Sequence, residues 1–282
     1  MSATYASLLA RLADAVAGSY SDRRVRVAID GVDGAGKTTL ADALAPLVVA
    51  KGRPVIRASV DDFHNPQNLR YARGRYSPDG FYRDSYDYDS FRRLLLEPLS
   101  PGGSGQYAAK RFDLDNDKPS DLDPQQAGPT AALIVDGIFL HRPELRSCWD
   151  LSIFLKVDFD VSLPRGAARG ESFDAIDPNS PPHQRYVGGQ KRYLAECAPE
   201  QQADIVIDYN DMEAPKVLKW SPRSPDGAQR NPGYGITCSS AAPACAIPRQ
   251  RPRTRPAPAV AGAGSGNTET APGTGRTNRR VR

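Results

Sequence analysis

The sequence predicts an α/β chain: a mostly parallel, five-stranded sheet with helices on both faces, followed by a disordered tail. Three observations predict it. Short, continuously apolar runs alternate with segments of helical period, as strands buried on both faces require. A glycine-rich loop joins the first of those strands to a helix. After Trp220 the composition changes abruptly.

Taken in order, the first segment places Tyr5, Leu8, Leu9, Leu12, Ala15 and Val16 on one helical face. Arg11 and Asp14 inside it argue against a signal peptide. Val25, Val27 and Ile29 mark the first strand, and GVDGAGKTT follows at 31–39. The next stretch reads as a helix with Leu40, Ala43, Leu44 and Leu47 on one face. Residues 54–60 form a second strand that ends at Asp61, Asp62, Phe63 and His64. Residues 65–88 are polar and aromatic, with Tyr71, Tyr76, Tyr82, Tyr86 and Tyr88, and read as a substrate loop. Helical period returns over 89–96, and 107–117 suggests a small hairpin at the sheet's edge. Strands at 131–135, 151–157 and 203–208 complete the five, with helices near 161–169 and 184–196 between the last two. Sheets of this kind bind ligands at the C-terminal ends of their strands, where Gly31, Asp61 and Asp136 fall.

Gly31, Gly36, Lys37 and Thr38 fit the spacing G-x-x-x-x-G-K-[ST], in the strand-to-helix context that gives the pattern content. Side chains at Gly31, Gly34 and Gly36 would block a phosphate chain from main-chain N–H groups or forbid the required backbone angles. The helix that follows points its positive end at the same place. Lys37 adds a mobile charge for the β- and γ-phosphates, and Thr38 a hydroxyl for Mg²⁺. Residues Gly31, Asp33, Gly34, Ala35, Gly36, Lys37, Thr38 and Thr39 are therefore the expected nucleotide site. The alternative is a glycine-rich turn with a chance Lys-Thr. Together these features predict a three-layer P-loop NTPase fold.

Asp136 ends an apolar strand and suits a metal-holding acid beside Thr38; the alternative is a carboxylate that caps the next segment. Asp61 and Asp62 end a neighbouring strand. One of them suits a carboxylate that accepts a hydroxyl proton, against the commoner reading of a turn pair. Alternation along the strand predicts that the two side chains diverge.

The 37 basic and 33 acidic residues are divided unevenly. Ten arginines but only Asp226 and Glu269 fall after Trp220, so the tail carries +8 and the body −4. The overall +4 is thus no sign of a nucleic-acid-binding body. The tail, 221–282, is rich in Pro, Gly, Ala and Arg and has no Leu, Phe or Lys, so it is expected to be disordered. Its Arg-Pro cluster lacks the aromatic residues that stack on bases, so no specific nucleic-acid partner is expected. No run reaches the length of a membrane span. Cys148, Cys197, Cys238 and Cys245 form no close pair with a His partner, which fits reduced thiols in a cytoplasmic protein.

The body, roughly residues 20–220, resembles the uridine kinase/phosphoribulokinase family of P-loop kinases, most of all compact bacterial uridine-kinase-like proteins. The motifs that carry the resemblance are GVDGAGKTT at 31–39, DDFH at 61–64, RDSYDYDSF at 83–91, VDGIF at 135–139, RYVGGQKRYL at 185–194 and ADIVIDYND at 203–211. The resemblance implies ATP- and Mg²⁺-dependent phosphorylation of a hydroxyl on a small molecule, with uridine or cytidine the expected acceptor. It implies Asp61 as the catalytic acid/base, His64 and Tyr82 as lining of the acceptor pocket, and Asp87 as the acid that binds ribose hydroxyls. It implies a lid helix whose arginines, here Arg165 and Arg169, close over the phosphates. The chain departs from the family there: Pro164, Gly166 and Gly170 surround the two arginines, and Gly170 stands where relatives place an Asp. The helix is expected to begin near Ser162, with Arg185, Lys191 and Arg192 as reserve cations. Other readings are a kinase for a pantothenate- or sugar-phosphate-like alcohol, and a nucleotide-binding protein with an impaired lid. A homo-oligomer stays open.

Overall fold

The structure, a computed structural model, describes residues 2–121, 123–168 and 177–222. Most of the expected tail, residues 223–282, lies outside them.

Strands β1 (Val25–Gly31), β2 (Val55–Ser59), β3 (Ala132–Gly137), β4 (Leu151–Lys156), β5 (Ile205–Asp208) and β6 (Lys216–Trp220) form one sheet in the order β6-β5-β4-β1-β3-β2. The first five run parallel, and β6 pairs antiparallel with β5. The five expected strands are therefore present, and β6 is an addition. Its short run lacks a buried face, with Val217 and Leu218 exposed at the sheet edge, so it gives no strong apolar signal.

Both faces of the sheet are covered, which is why its strands are continuously apolar. Val25, Val27 and Ile29 of β1 join Ile134, Ile153 and Leu155 beneath α1 (Ala3–Gly18) and α2 (Lys37–Ala50). The alternate residues Ala28, Leu133 and Val135 face the other way, into a cluster with Phe63, Phe91, Phe139, Trp149 and Tyr193. On α2 the buried stripe is Leu40, Leu44 and Val48, and Leu47 is 36% exposed instead of buried. A step of four along the helix keeps the stripe on the sheet, and Leu47 falls off it.

Helix α3 (Pro78–Asp84) lies within the tyrosine-rich segment, with Ser77 as its N-cap. Helix α4 (Phe159–Ala168) begins three residues before the expected Ser162, because Asp158 O already accepts from the N–H groups of Val161 and Ser162. Helix α5 (Pro181–Cys197) starts after the N-cap Ser180, with proline in its first turn. It packs tightly on α3. A Cβ on Gly189 would come within 2.7 Å of the Phe81 ring, and one on Gly188 within 3.0 Å of Pro78. The expected hairpin is two separate ribbons, Phe112–Asp113 with Lys118–Pro119 and Gln106–Tyr107 with Gln125–Gln126, neither part of the main sheet.

Candidate active site

The loop from Gly31 to Gly36 runs from the end of β1 into α2. Gly34 and Gly36 have φ of 71° and 90°, in the left-handed region that strains any side chain. A Cβ on Gly34 would overlap the carbonyl oxygen of Ser162 in α4. One on Gly36 would lie 3.1 Å from the ring of Tyr209. Gly31 and Ala35 are buried beside them. Helix α2 starts at Lys37 with Gly36 as its N-cap and no side-chain cap. Its first N–H groups and positive end are left for an anion. Lys37 Nζ curls over the loop and donates to Val32 O at 2.9 Å. Thr39 is exposed in the first turn. Asp33 is clasped from outside the loop: its N–H donates to Gln190 Oε1 at 2.7 Å, and Gln190 Nε2 donates to its Oδ2 at 3.0 Å.

Thr38 and Asp136 meet. The threonine hydroxyl donates to Asp136 Oδ2 at 2.6 Å, and Arg57 donates to Oδ1 at 2.8 Å. Two hard oxygen donors at the phosphate loop fit Mg²⁺, which takes one or two carboxylates and fills its shell with phosphate oxygens and water. Among the described residues no group of three or more His, Cys, Asp or Glu is placed to hold a metal, so a protein-only cage is not what they offer. Arg57 escapes sequence reasoning, although a charge in the middle of an apolar strand is its signal.

Ser59 links this acid to the next. Its hydroxyl donates to Asp136 O at 3.2 Å and accepts from Asp61 N–H at 3.3 Å. Asp61 and Asp62 sit on a 3-10 turn (Val60–Phe63), not on the strand itself, yet they diverge as expected. Asp61 accepts from the Tyr86 hydroxyl at 2.8 Å, while Asp62 turns to Lys110 at 3.4 Å. Burial and the Asp61 charge keep the Tyr86 phenol far above its ordinary pKa, so it remains a donor. Tyr86 is a second residue that sequence reasoning leaves among five similar tyrosines.

A cleft of about 510 Å³ opens beside Asp61, lined by Asp33, His64, Arg70, Tyr86 and Arg185 among others. His64 donates from Nδ1–H to the backbone oxygen of Asp61 at 2.7 Å, and burial lowers its pKa. Two of the expected acceptor residues do not line this cleft. Tyr82 is 4% exposed and turns into the core, its hydroxyl 3.3 Å from Cys197 Sγ. Its place on the inner face of α3 decides that. Asp87 is the N-cap of the helix Tyr88–Phe91 and accepts from Ser90 N–H at 2.9 Å. Its other oxygen lies 3.2 Å from Arg111.

On α4, where the lid is expected, Arg165 donates to Tyr209 O at 3.0 Å and to Asn210 O, so it is tied to the loop after β5. Arg169 and Gly170 lie outside the described residues. Of the reserve cations, Arg192 pairs with Asp79 and Glu196, and Lys191 is exposed near the Phe159 ring. Arg185 alone of the three lines the cleft.

A parallel sheet with this loop at its first strand end defines a P-loop NTPase fold. The same fold is found in solved structures of P-loop kinases. A solved structure from Bacillus stearothermophilus, assigned as a uridine kinase, is 21% identical with a TM-score of 0.56, over 71% of this chain and 97% of that one. One from Silicibacter sp. TM1040, assigned as a fructose transport system kinase, is 26% identical with a TM-score of 0.53, over 66% and 94%. The D-glycerate 3-kinase of Cryptococcus neoformans is 12% identical with a TM-score of 0.50, over 77% and 98%. No protein-family model and no curated protein matches the sequence.

Proposed function

We propose that this protein is an ATP- and Mg²⁺-dependent kinase that transfers the γ-phosphoryl group to a hydroxyl of a small metabolite. The observation that carries the reading is the chain of contacts from Thr38 through Asp136 and Ser59 to Asp61. It links the phosphate loop to Asp61, and Asp33 of that loop lines the same cleft as Asp61.

The residues divide the work by their chemistry. Main-chain N–H groups of the loop and Lys37 hold the phosphates. Thr38 and Asp136 would hold Mg²⁺, which neutralises charge on the triphosphate when bound. Tyr86 fixes one oxygen of Asp61 and leaves the other to receive the acceptor's proton. As that proton leaves, the acceptor oxygen bonds to the γ-phosphorus. The bond to the β–γ bridging oxygen breaks, and ADP departs. Little covalent work falls to the protein, so placement and charge dominate the rate.

Uridine or cytidine is the acceptor that the family resemblance suggests, through Asp87. That reading needs the Asp87 carboxylate at the cleft, whereas Ser90 and Arg111 hold it elsewhere. Alcohols of other kinds therefore stand beside the nucleosides.

The deciding experiment measures ADP release by the full chain over a panel of nucleosides, sugar phosphates and hydroxy acids. Acceptor-dependent release that Lys37→Ala abolishes supports the kinase reading. ATP binding with no acceptor-dependent release from any of them would sink it in favour of a nucleotide-binding protein.

A further inference from the structure

Arg185 is a buried cation with an unusual set of neighbours. It is 3% exposed, in the second turn of α5, and lines the same cleft as Asp61. Its guanidinium donates to the carbonyls of Ser77 and Arg70, each at a long 3.3 Å. Its buried Nε has no hydrogen-bond partner. The rings of Tyr71 and Phe81 lie 4.8 and 5.4 Å from its charged carbon. Burial lowers its pKa, and the groups facing it are Tyr186, which hydrogen-bonds to it, Tyr71 and the like-charged Arg70, with no carboxylate among them.

Arg70 stands next to it on the same wall. Its outer side meets Asp117 at 2.9 Å, but its Nε is also buried without a partner. Two guanidinium groups lining one cleft, each with an unused buried donor, are costly unless an anion joins them. Arginine cannot escape that cost by losing its proton. The acids of the cleft do not fill the role. Asp61 is held by Tyr86, Asp33 by Gln190, and Asp115 is exposed.

We infer that the acceptor carries an anionic group, a phosphate ester or a carboxylate, which Arg185 and Arg70 bind while its hydroxyl lies at Asp61. The planar fork of a guanidinium matches both oxyanions, two donors to two oxygens. The acceptor class rests on the kinase reading above; the anion site itself does not.

The test separates the two. The full chain is titrated by calorimetry with ribose 5-phosphate, D-glycerate and uridine, and the same three are offered as acceptors with MgATP. At least one anion is expected to bind saturably, with uridine at least tenfold weaker. The preferred anion tells a phosphate ester from a carboxylate. Arg185→Met is expected to weaken that anion by about ten- to a hundredfold, the range of charged hydrogen bonds, and to leave uridine unchanged. Arg185→Lys, a point charge without the fork, should recover part of the loss. Arg70→Gln should act in the same direction, which keeps the test alive if the Arg185 variants fail to fold. Anion binding without turnover of any acceptor leaves the anion site standing and removes the kinase reading. Failure of both anions to bind, equal or tighter binding of uridine, or equal losses for charged and neutral ligands would overturn the inference.

Discussion

The hydroxyl of Thr38 donates to Oδ2 of Asp136 at 2.6 Å, across 98 residues of sequence. One residue opens α2 and the other stands near the end of β3, so the bond ties the phosphate loop to the neighbouring parallel strand. Arg57 holds the second oxygen of the same carboxylate.

Asp136→Asn keeps the shape of that acid and removes its charge. Turnover is expected to fall roughly 10²–10³-fold, the scale seen when one preorganised electrostatic contact is lost. Nucleotide binding without Mg²⁺ should be little changed. Steady-state rates against Mg²⁺ concentration, beside binding of a fluorescent ATP analogue, check both parts.

Asp61→Asn should lower kcat by about 10²–10⁴-fold, the usual contribution of a positioned base. Tyr86→Phe keeps the carboxylate but releases the oxygen that the phenol holds. A loss of about tenfold is expected from one hydrogen bond to a charged group. If both variants keep wild-type kcat with every accepted substrate, Asp61 is not the base.

Gly34→Ala is expected to abolish ATP binding. The new methyl would overlap Ser162 O, and the backbone at φ 71° would be strained besides. A left-handed non-glycine residue alone costs about 1–2 kcal/mol, and the overlap adds to it. Thermal melting and ATP titration together distinguish a local block from general unfolding.

His64 makes stability depend on pH with a definite sign. Burial lowers its pKa in the folded protein below the ordinary 6.5; Arg70 lowers it further, against the opposing charges of Asp61 and Asp62. The unfolded chain therefore binds more protons just below pH 6.5, and stability is lost as pH falls through that region. Asp62, raised by burial above 3.8, works in the opposite direction only at more acidic pH. The melting temperature should drop from pH 7.5 to 5.5, and His64→Gln should shrink the drop. An unchanged drop in that variant would assign it to other groups.

The phosphate loop and the five parallel strands were legible because each is written in one contiguous stretch. A strand–glycine–helix junction or an apolar run needs no distant partner to be recognised. The acceptor side was harder. Tyr82 and Tyr86 lie four apart in the same aromatic segment, but α3 ends at Asp84, so one points into the core and the other reaches Asp61. Asp87 looks like a ligand-binding acid until the next helix claims it as an N-cap. The pairing of Arg57 with Asp136 and of Gln190 with Asp33 spans 79 and 157 residues, beyond what spacing can convey.

Helix α5 carries Gln190, which grips the loop through Asp33, and Arg185, which lines the acceptor cleft five residues earlier. One helix that reaches both sites is expected to couple anion binding to ATP binding. Thermodynamic reciprocity then demands that an anion at Arg185 alter ATP affinity by the same factor that ATP alters the anion's, commonly about 5- to 150-fold. Gln190→Ala cuts the helix from the loop and should bring that factor to one, so that each ligand binds as though the other were absent.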